Sequence, residues 1–515
     1  MDNSQSGSQA KTGSSRGHGD LAPAFLFFSI LLLAPVLQGF WSSRTQFVFQ
    51  AACLFAGGLW LFRAASSVGL PQSLSSKDGL LLLGAAFFSL LGAALSPVRP
   101  LVMADWWTFF FGLCVLASAG FLPEGRRRTA ELGLRISAWV IMALSLYQAF
   151  VLKSPDISAS LTNPNALALF ALMLIPLAMT WRDYYLLGAL VIVLIWTQSL
   201  AALLALLAAA GLYAADNARK NDFRRNWPLY AVLAVACALA LWQLEPRSVL
   251  DRLGWWRAAL KMFADSPLLG FGQGAFAWLY PAYHRPEAAG LSSVYVHNYF
   301  LEFLAENGAL AAACWFWAVF SRLKAAAGLK RYAIAAALVH SLADFGLAVP
   351  ANFFVFCYIL SSPPGENAAP AAVPPAGRAK ALAFAAVLAA LALVHGIRNF
   401  YGDLRLDRLY RSAQAAYSAG DHALAAVTLE KAAAAAPGNP LIPRLQGQAL
   451  LADSLAKKDR VLLFRAAAAL ERSLLLNPYN SGAYRDLEYL YGVAGAQGML
   501  ADLRQRKRIY IKWER

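Results

Sequence analysis

The sequence predicts an all-α fold, a polytopic helical membrane protein of about 13 spans followed by a C-terminal α-solenoid. Three observations carry that expectation. Of the 515 residues, 59% are apolar and only 14% are charged, where an ordinary soluble domain has about 25% charged residues. Apolar runs of spanning length recur through the first 398 residues. The charge then rises: residues 1–398 hold 28 Lys/Arg and 18 Asp/Glu, and residues 399–515 hold 17 and 11, roughly 12% against about 24%. A membrane body, 21–398, is therefore joined to a water-soluble tail, 399–515. This composition excludes a disordered chain, a collagen-like fibre and a disulfide scaffold.

Residues 1–20 are polar and rich in Ser and Gly, and read as a disordered cytoplasmic leader. Leu21–Phe40 is too long for a signal-peptide core and lacks a convincing cleavage site, so it stays as the first span. Further spans are expected near 45–62, 79–95, 101–121, 134–152, 165–181, 229–244, 299–320 and 380–398. Two stretches, 184–215 and 331–361, are too long for one helix and short for two full spans.

Charge resolves them. Arg182 precedes the first stretch and Arg219, Lys220, Arg224 and Arg225 follow it; Lys330 and Arg331 precede the second, and Arg378 and Lys380 follow it. With every basic cluster on the cytoplasmic side, each stretch crosses twice as a pair of short helices. The breaks are expected at Thr197-Gln198-Ser199 and at Gly346–Pro350. The inferred cytoplasmic segments then hold 18 Lys/Arg, against 3 in the short outer loops (Arg44, Arg99, Lys153). That bias accounts for the net charge of +16 without a nucleic-acid partner. It also places the 153–164 loop, the large 245–297 loop and the tail outside. The five cysteines lie in apolar runs without a CxxC pair and read as small buried hydrophobes.

The tail alternates helical patterns with Pro/Asn punctuation. Gly420-Asp421 opens an Ala-rich run that ends in Ala436-Pro437-Gly438-Asn439-Pro440, and Leu470–Leu474 leads into Asn477-Pro478-Tyr479-Asn480. This resembles tetratricopeptide repeats, with an interval longer than their usual period of about 34. Three helical hairpins are expected over 403–513. They would serve either as a docking surface for a protein partner or extended substrate, or as a cap that shields the outer face.

The outer loop holds the candidate chemistry. It carries Arg252, Arg257, Lys261 and Arg285, five aromatic residues from Phe271 to Tyr283, and His297-Asn298 where the next span begins. Guanidinium groups hold diphosphates through paired donors, and aromatic faces suit sugars and the lipid interface. An imidazole at the membrane mouth suits removal of a hydroxyl proton. The bland alternatives are solvated or headgroup-binding arginines, and a helix start with Asn298 as N-cap and Glu302 complementing the dipole. Asn298, Glu302 and Glu306 recur every four residues on one helix face, a costly arrangement in a membrane. His340 and Asp344 are spaced to pair within one helix, in a structural role. No ligand set has metal spacing.

The order of these features resembles the O-antigen ligase and polymerase superfamily of bacterial membrane glycosyltransferases, which includes protein O-oligosaccharyltransferases. The resemblance spans roughly 160–360. It rests on Thr162-Asn163-Pro164-Asn165-Ala166, Trp256-Arg257, PLLGFGQGAF (267–276), HNYFLEFLAENG (297–308) and HSLADFGLAVPAN (340–352). It implies a multi-pass protein of the bacterial inner membrane that takes a glycan from a polyprenyl diphosphate and transfers it to an acceptor hydroxyl, without metal or other cofactor. The acceptor would be a glycan, a lipid or a protein. The family's essential histidine corresponds to His297, as general base, and its loop arginines to Arg252, Arg257 or Arg285. Asn163, Asn165, Asn298 and Glu302 would position substrate. One departure stands out: many members carry a Ser-Arg-Gly-type step where this chain reads Thr197-Gln198-Ser199-Leu200-Ala201; if that arginine holds the diphosphate in relatives, either another cation does so here or the activity has drifted. Ligase-type transfer is preferred here over chain-elongating polymerisation or protein glycosylation. The rival from another class is a polysaccharide translocator or membrane scaffold, which would need polar residues through the depth of the membrane rather than at its outer face.

Overall fold

The computed structural model describes residues 22–37, 47–49, 51–52, 77–120, 122, 124–217, 246–284, 293–361 and 375–514. The described residues are helical with no strand. The leader, the expected span at 229–244, most of that at 45–62, and Arg285 lie outside them. The membrane body comprises α1 (Ala22–Val36), α2 (Lys77–Leu95), α3 (Arg99–Ala119), α4 (Glu124–Leu146), α5 (Pro164–Thr180), α6 (Tyr184–Trp196) and α7 (Leu200–Asn217). Then come α8 (Pro246–Asp265) and α9 (Phe276–Tyr283) in the large loop, α10 (Tyr299–Ala325), α11 (Leu329–His340) and α12 (Pro350–Leu360).

Three stretches, Arg99–Ala119, Gly125–Val151 and Tyr299–Ala325, are long and apolar enough to cross a membrane. The two awkward stretches do break. α6, α11 and α12 have 13, 12 and 11 residues, or about 17–20 Å at the helical rise, well short of a hydrocarbon core of about 30 Å. The first break falls at 197–199, where Gln198 has φ +50°. The second begins earlier than expected, at Ser341, and runs to Val349.

α5 is apolar all round, and every residue from Ala166 to Ala178 is buried. It is the centre of the bundle. α6 and α11 pack on it, α7 packs on α11, α1 packs on α4, and α2 packs on α10. An aromatic cluster of Phe109, Phe303, Trp315 and Phe353, with ring centroids 5.2–5.8 Å apart, ties α3, α10 and α12 together. The basic segments that charge assigns to one side meet at one end of the bundle. Arg135 bridges Asp183 at 2.8 Å, Arg331 bridges Asp216 at 3.2 Å, and Lys330 stands 3.7 Å from Glu131. Arg127 donates to the carbonyls of Ala119 and Ser361.

The composition boundary at 399 falls inside a single helix, α13 (Pro375–Ser418), which leads without interruption into the tail. The tail continues as α14 (His422–Ala435), α15 (Leu441–Lys457), α16 (Arg460–Leu476), α17 (Ser481–Val493) and α18 (Gln497–Tyr510), each packed on the one before. Asp421, Asp459 and Asn480 cap their helices through side-chain oxygens, which explains the polar punctuation. The tail shares one apolar core with the large loop. Lys512 bridges Asp265 at 3.0 Å, Trp513 Nε1 donates to Pro281 O at 3.0 Å, and Tyr479 stacks on Tyr283. The loop and the tail therefore lie at the same end of the molecule.

Candidate active site

Asn163 accepts from the backbone of Asn165 and Ala166 and so caps α5, with Pro164 at its first position. That cap turns Asn165 toward the break after α11. Asn165 Nδ2 donates to Asp344 Oδ2 at 2.8 Å, and Asn352 Nδ2 donates to Ala166 O and Gly346 O. The Asn-Pro-Asn segment and the 340–352 segment are thus sewn together, 179 positions apart at Asn165 and Asp344.

His297 joins them from the next segment. Its Nδ1 stands 3.4 Å from Asp344 Oδ2. Asp344 is fully buried, while 18% of the His297 side chain is exposed. Phe345 N donates to Asp344 Oδ1, so both carboxylate oxygens are held. A carboxylate at Nδ1 favours the proton there and leaves the Nε2 lone pair free to accept one. Trp255 stacks on the imidazole at 4.6 Å and 22°, and Phe345 meets it edge-on at 4.8 Å. His297 has φ +55°, a left-handed conformation that costs a β-carbon-bearing residue about 1–2 kcal/mol. Its neighbours enforce it. Val296 N donates to Glu302 Oε2 at 2.8 Å, and Tyr299 N donates to Ser341 O at 2.9 Å.

Asn298 caps α10, accepting from Leu301 N, and its amide donates to Leu342 O. The pairing expected between His340 and Asp344 is not what the fold makes. α11 ends at His340, and Asp344 in the following loop turns to His297 and Asn165 instead.

The PLLGFG segment has an equally concrete role. α10 is interrupted at Gly308 (φ 70°, ψ 177°), and the segment lies along that break. Ala309 N donates to Pro267 O at 2.8 Å, Leu310 N to Leu268 O at 3.2 Å, and Gly272 N to Glu306 O at 2.6 Å. A β-carbon at Gly308 would collide with Leu268 O, and one at Gly270 with Glu306 O.

α8 supplies the arginines. Arg252 lies one turn before Trp255, and its Nε is buried without a hydrogen-bond partner among the described residues. Arg257 is exposed at the surface of the same helix. Arg285 lies outside the described residues. Beside Trp255, burial pushes the Tyr280 phenol up to about 12, against a hydrogen bond from Trp255 that pulls the other way.

Sequence reasoning gave no functional role to three neighbours of this site. Trp255, rather than Trp256, covers His297. Asp344 was given only a structural partner in its own helix. Asp105 is the one acid in the apolar run 101–121, and an acid isolated in a span is itself a signal.

No curated protein matches the chain by sequence. Residues 185–316 match the family model described as O-antigen ligase. The matched stretch contains His297, Asn298, Glu302, Arg252 and Arg257, while Asn163, Asn165 and Asp344 lie beyond its ends. Over that stretch the chain is similar to O-antigen ligases, and together with its apolar helices this supports a membrane protein with a glycosyltransferase-like role.

Proposed function

We propose that this protein transfers a glycan from a polyprenyl diphosphate to an acceptor hydroxyl at the outer face of a bacterial inner membrane, in the manner of an O-antigen ligase. The observation that carries the reading is the His297–Asp344–Asn165 relay, with a partly exposed imidazole beside an arginine-bearing helix. His297 Nε2 takes the acceptor's hydroxyl proton while the acceptor oxygen bonds to the anomeric carbon. The bond from that carbon to the diphosphate oxygen breaks, and its electron pair leaves with the polyprenyl diphosphate. Arg252 meets the charge that develops there, with Arg257 and Arg285 as further candidates. Asn163, Asn165 and Asn298 act by holding the backbone and Asp344 around the base. The reading invokes neither a metal ion nor a nucleotide sugar.

The tail is read as tetratricopeptide-like and extracytoplasmic. Its contacts with the large loop support that side, since the outer placement of one carries the other. A protein partner would meet the tail, and lipid surrounds the body.

The test is His297→Ala in detergent-purified protein given a polyprenyl-diphosphate-linked oligosaccharide and its acceptor. Transfer should fall by about 100-fold or more with unchanged yield and donor binding. Full transfer by a well-folded variant would remove the base from the scheme.

A further inference from the structure

Next to the His297 turn, a cavity of about 330 Å³ opens among α3, α10, the 273–278 segment and the 347–350 loop. Its walls include the carboxyl groups of Asp105, Glu302 and Glu306, the amide of Gln273, and the rings of Trp278 and Tyr295. Among the described residues, no Lys, Arg or His lines it. Glu306 is committed to Phe276 N and Gln273. Glu302 commits only Oε2, to Val296 N; its other oxygen has no hydrogen-bond partner among the described residues, although the residue is only 4% exposed. The Asp105 carboxyl, which opens onto the cavity, likewise makes no hydrogen bond among the described residues. Free acceptors, flat aromatic faces and a volume suited to one small ring coincide here.

The electrostatics exclude one substrate from this space. A diphosphate would find no Lys, Arg or His among the described residues of this wall to neutralise its charge. Neutral hydroxyl groups instead donate well to carboxylate oxygens. We infer that the cavity is the subsite for the acceptor's sugar, a neutral polyhydroxylated ring whose hydroxyls bond to Asp105 and Glu302 between the faces of Trp278 and Tyr295. The donor diphosphate stays outside, on the arginines of α8. Two rings link the cavity to the base: Tyr295, which lines it, stacks on Phe345 at 4.4 Å, and Phe345 meets the His297 ring edge-on at 4.8 Å. This deepens the proposed function and rests on it for the reaction, but the binding can be read without turnover.

The experiment is saturation-transfer NMR on the full-length protein in detergent, with methyl glucoside, methyl galactoside and methyl mannoside as probes. At least one glycoside should receive saturation from the wild-type protein with no donor present, so that no turnover is possible, which separates this inference from the catalytic one. Asp105→Asn keeps the shape of the side chain and should weaken that binding about tenfold, the loss expected for one hydrogen bond to a charged group. Ala277→Phe, which fills the cavity, should abolish it; if that variant fails to fold, Asp105→Asn still decides. Binding that is unchanged in Asp105→Asn overturns the inference. So does displacement by inorganic pyrophosphate, binding of glucosamine but none of the neutral glycosides, or no binding at all.

Discussion

His297 and Asp344 are 47 positions apart in the chain and 3.4 Å apart at Nδ1 and Oδ2. The same carboxylate oxygen also receives the Asn165 amide at 2.8 Å, so one buried acid orders two residues from two other segments. Asp344 touches the candidate base rather than substrate, and is a positioning residue.

Replacing Asp344 with Asn should therefore lower kcat by about tenfold or more while leaving the donor KM near its original value. Asn165→Ala should have a smaller effect of the same kind. Because both act through one carboxylate, the double variant should be no worse than Asp344→Asn alone. Fully additive losses, measured as single-turnover rates, would mean that Asn165 and Asp344 act separately.

Arg252 has a buried Nε without a partner among the described residues, whereas Arg257 is exposed. Arg252→Ala should raise the donor KM or lower kcat more than Arg257→Ala does. Arg252→Lys should recover only part of the loss, because an ammonium cannot reproduce a two-point grip on a diphosphate. Equal responses in a radiolabelled-donor binding assay would show that burial on α8 does not select the anion site.

Gly308 and Gly420 both have positive φ, +70° and +82°, yet their surroundings differ. Among the described residues, nothing stands within 4 Å of a β-carbon at Gly420, while one at Gly308 would strike the backbone of Leu268. Gly420→Ala should cost only conformational strain, about 1 kcal/mol. Gly308→Ala should cost more, because the 267–272 segment must move out of the break in α10. Thermal melts of the purified protein would rank them. A Gly308→Ala protein as stable as Gly420→Ala would show that the segment yields easily.

In the tail, burial would raise the Glu471 carboxyl, but the two-point bridge from Arg506 (2.7 and 2.9 Å) and the Tyr491 hydroxyl outweigh it and hold it below its ordinary value. A depressed carboxyl adds stability that is fully present above the ordinary glutamate value, about 4.3. That stability is lost as pH falls through the lower folded value. Acid should therefore loosen the α16–α18 region, and Glu471→Gln should flatten the dependence of melting temperature on pH below about 5. An unchanged slope would assign the acid sensitivity to other groups.

Much of the local architecture is legible in the sequence, because it depends on neighbours a few residues apart. The apolar runs, the break at 197–199, the Asn298 cap and the polar stops between tail helices are all set by side chains that act within one or two turns. Charge bias likewise gathers Lys330 and Arg331 into a segment that does meet the segments of Glu131 and Asp216 in space. Spacing alone misassigns the partner of Asp344. An i to i+4 reading assumes a continuing helix, and α11 stops at His340.

The sequence by itself determined an apolar helical body, a polar helical tail, and a short list of residues with His297 at its head. Only the tertiary structure decided which of them meet. It brings Asp344 to His297 across 47 positions and Asn165 to Asp344 across 179, lays the 267–272 loop into the gap at Gly308, and packs the tail on the large loop through Lys512 and Trp513. The physical reason is range. Caps, breaks and apolar faces are local, whereas contacts between distant segments are fixed only when buried helices interlock and leave each polar group the partner that remains within reach.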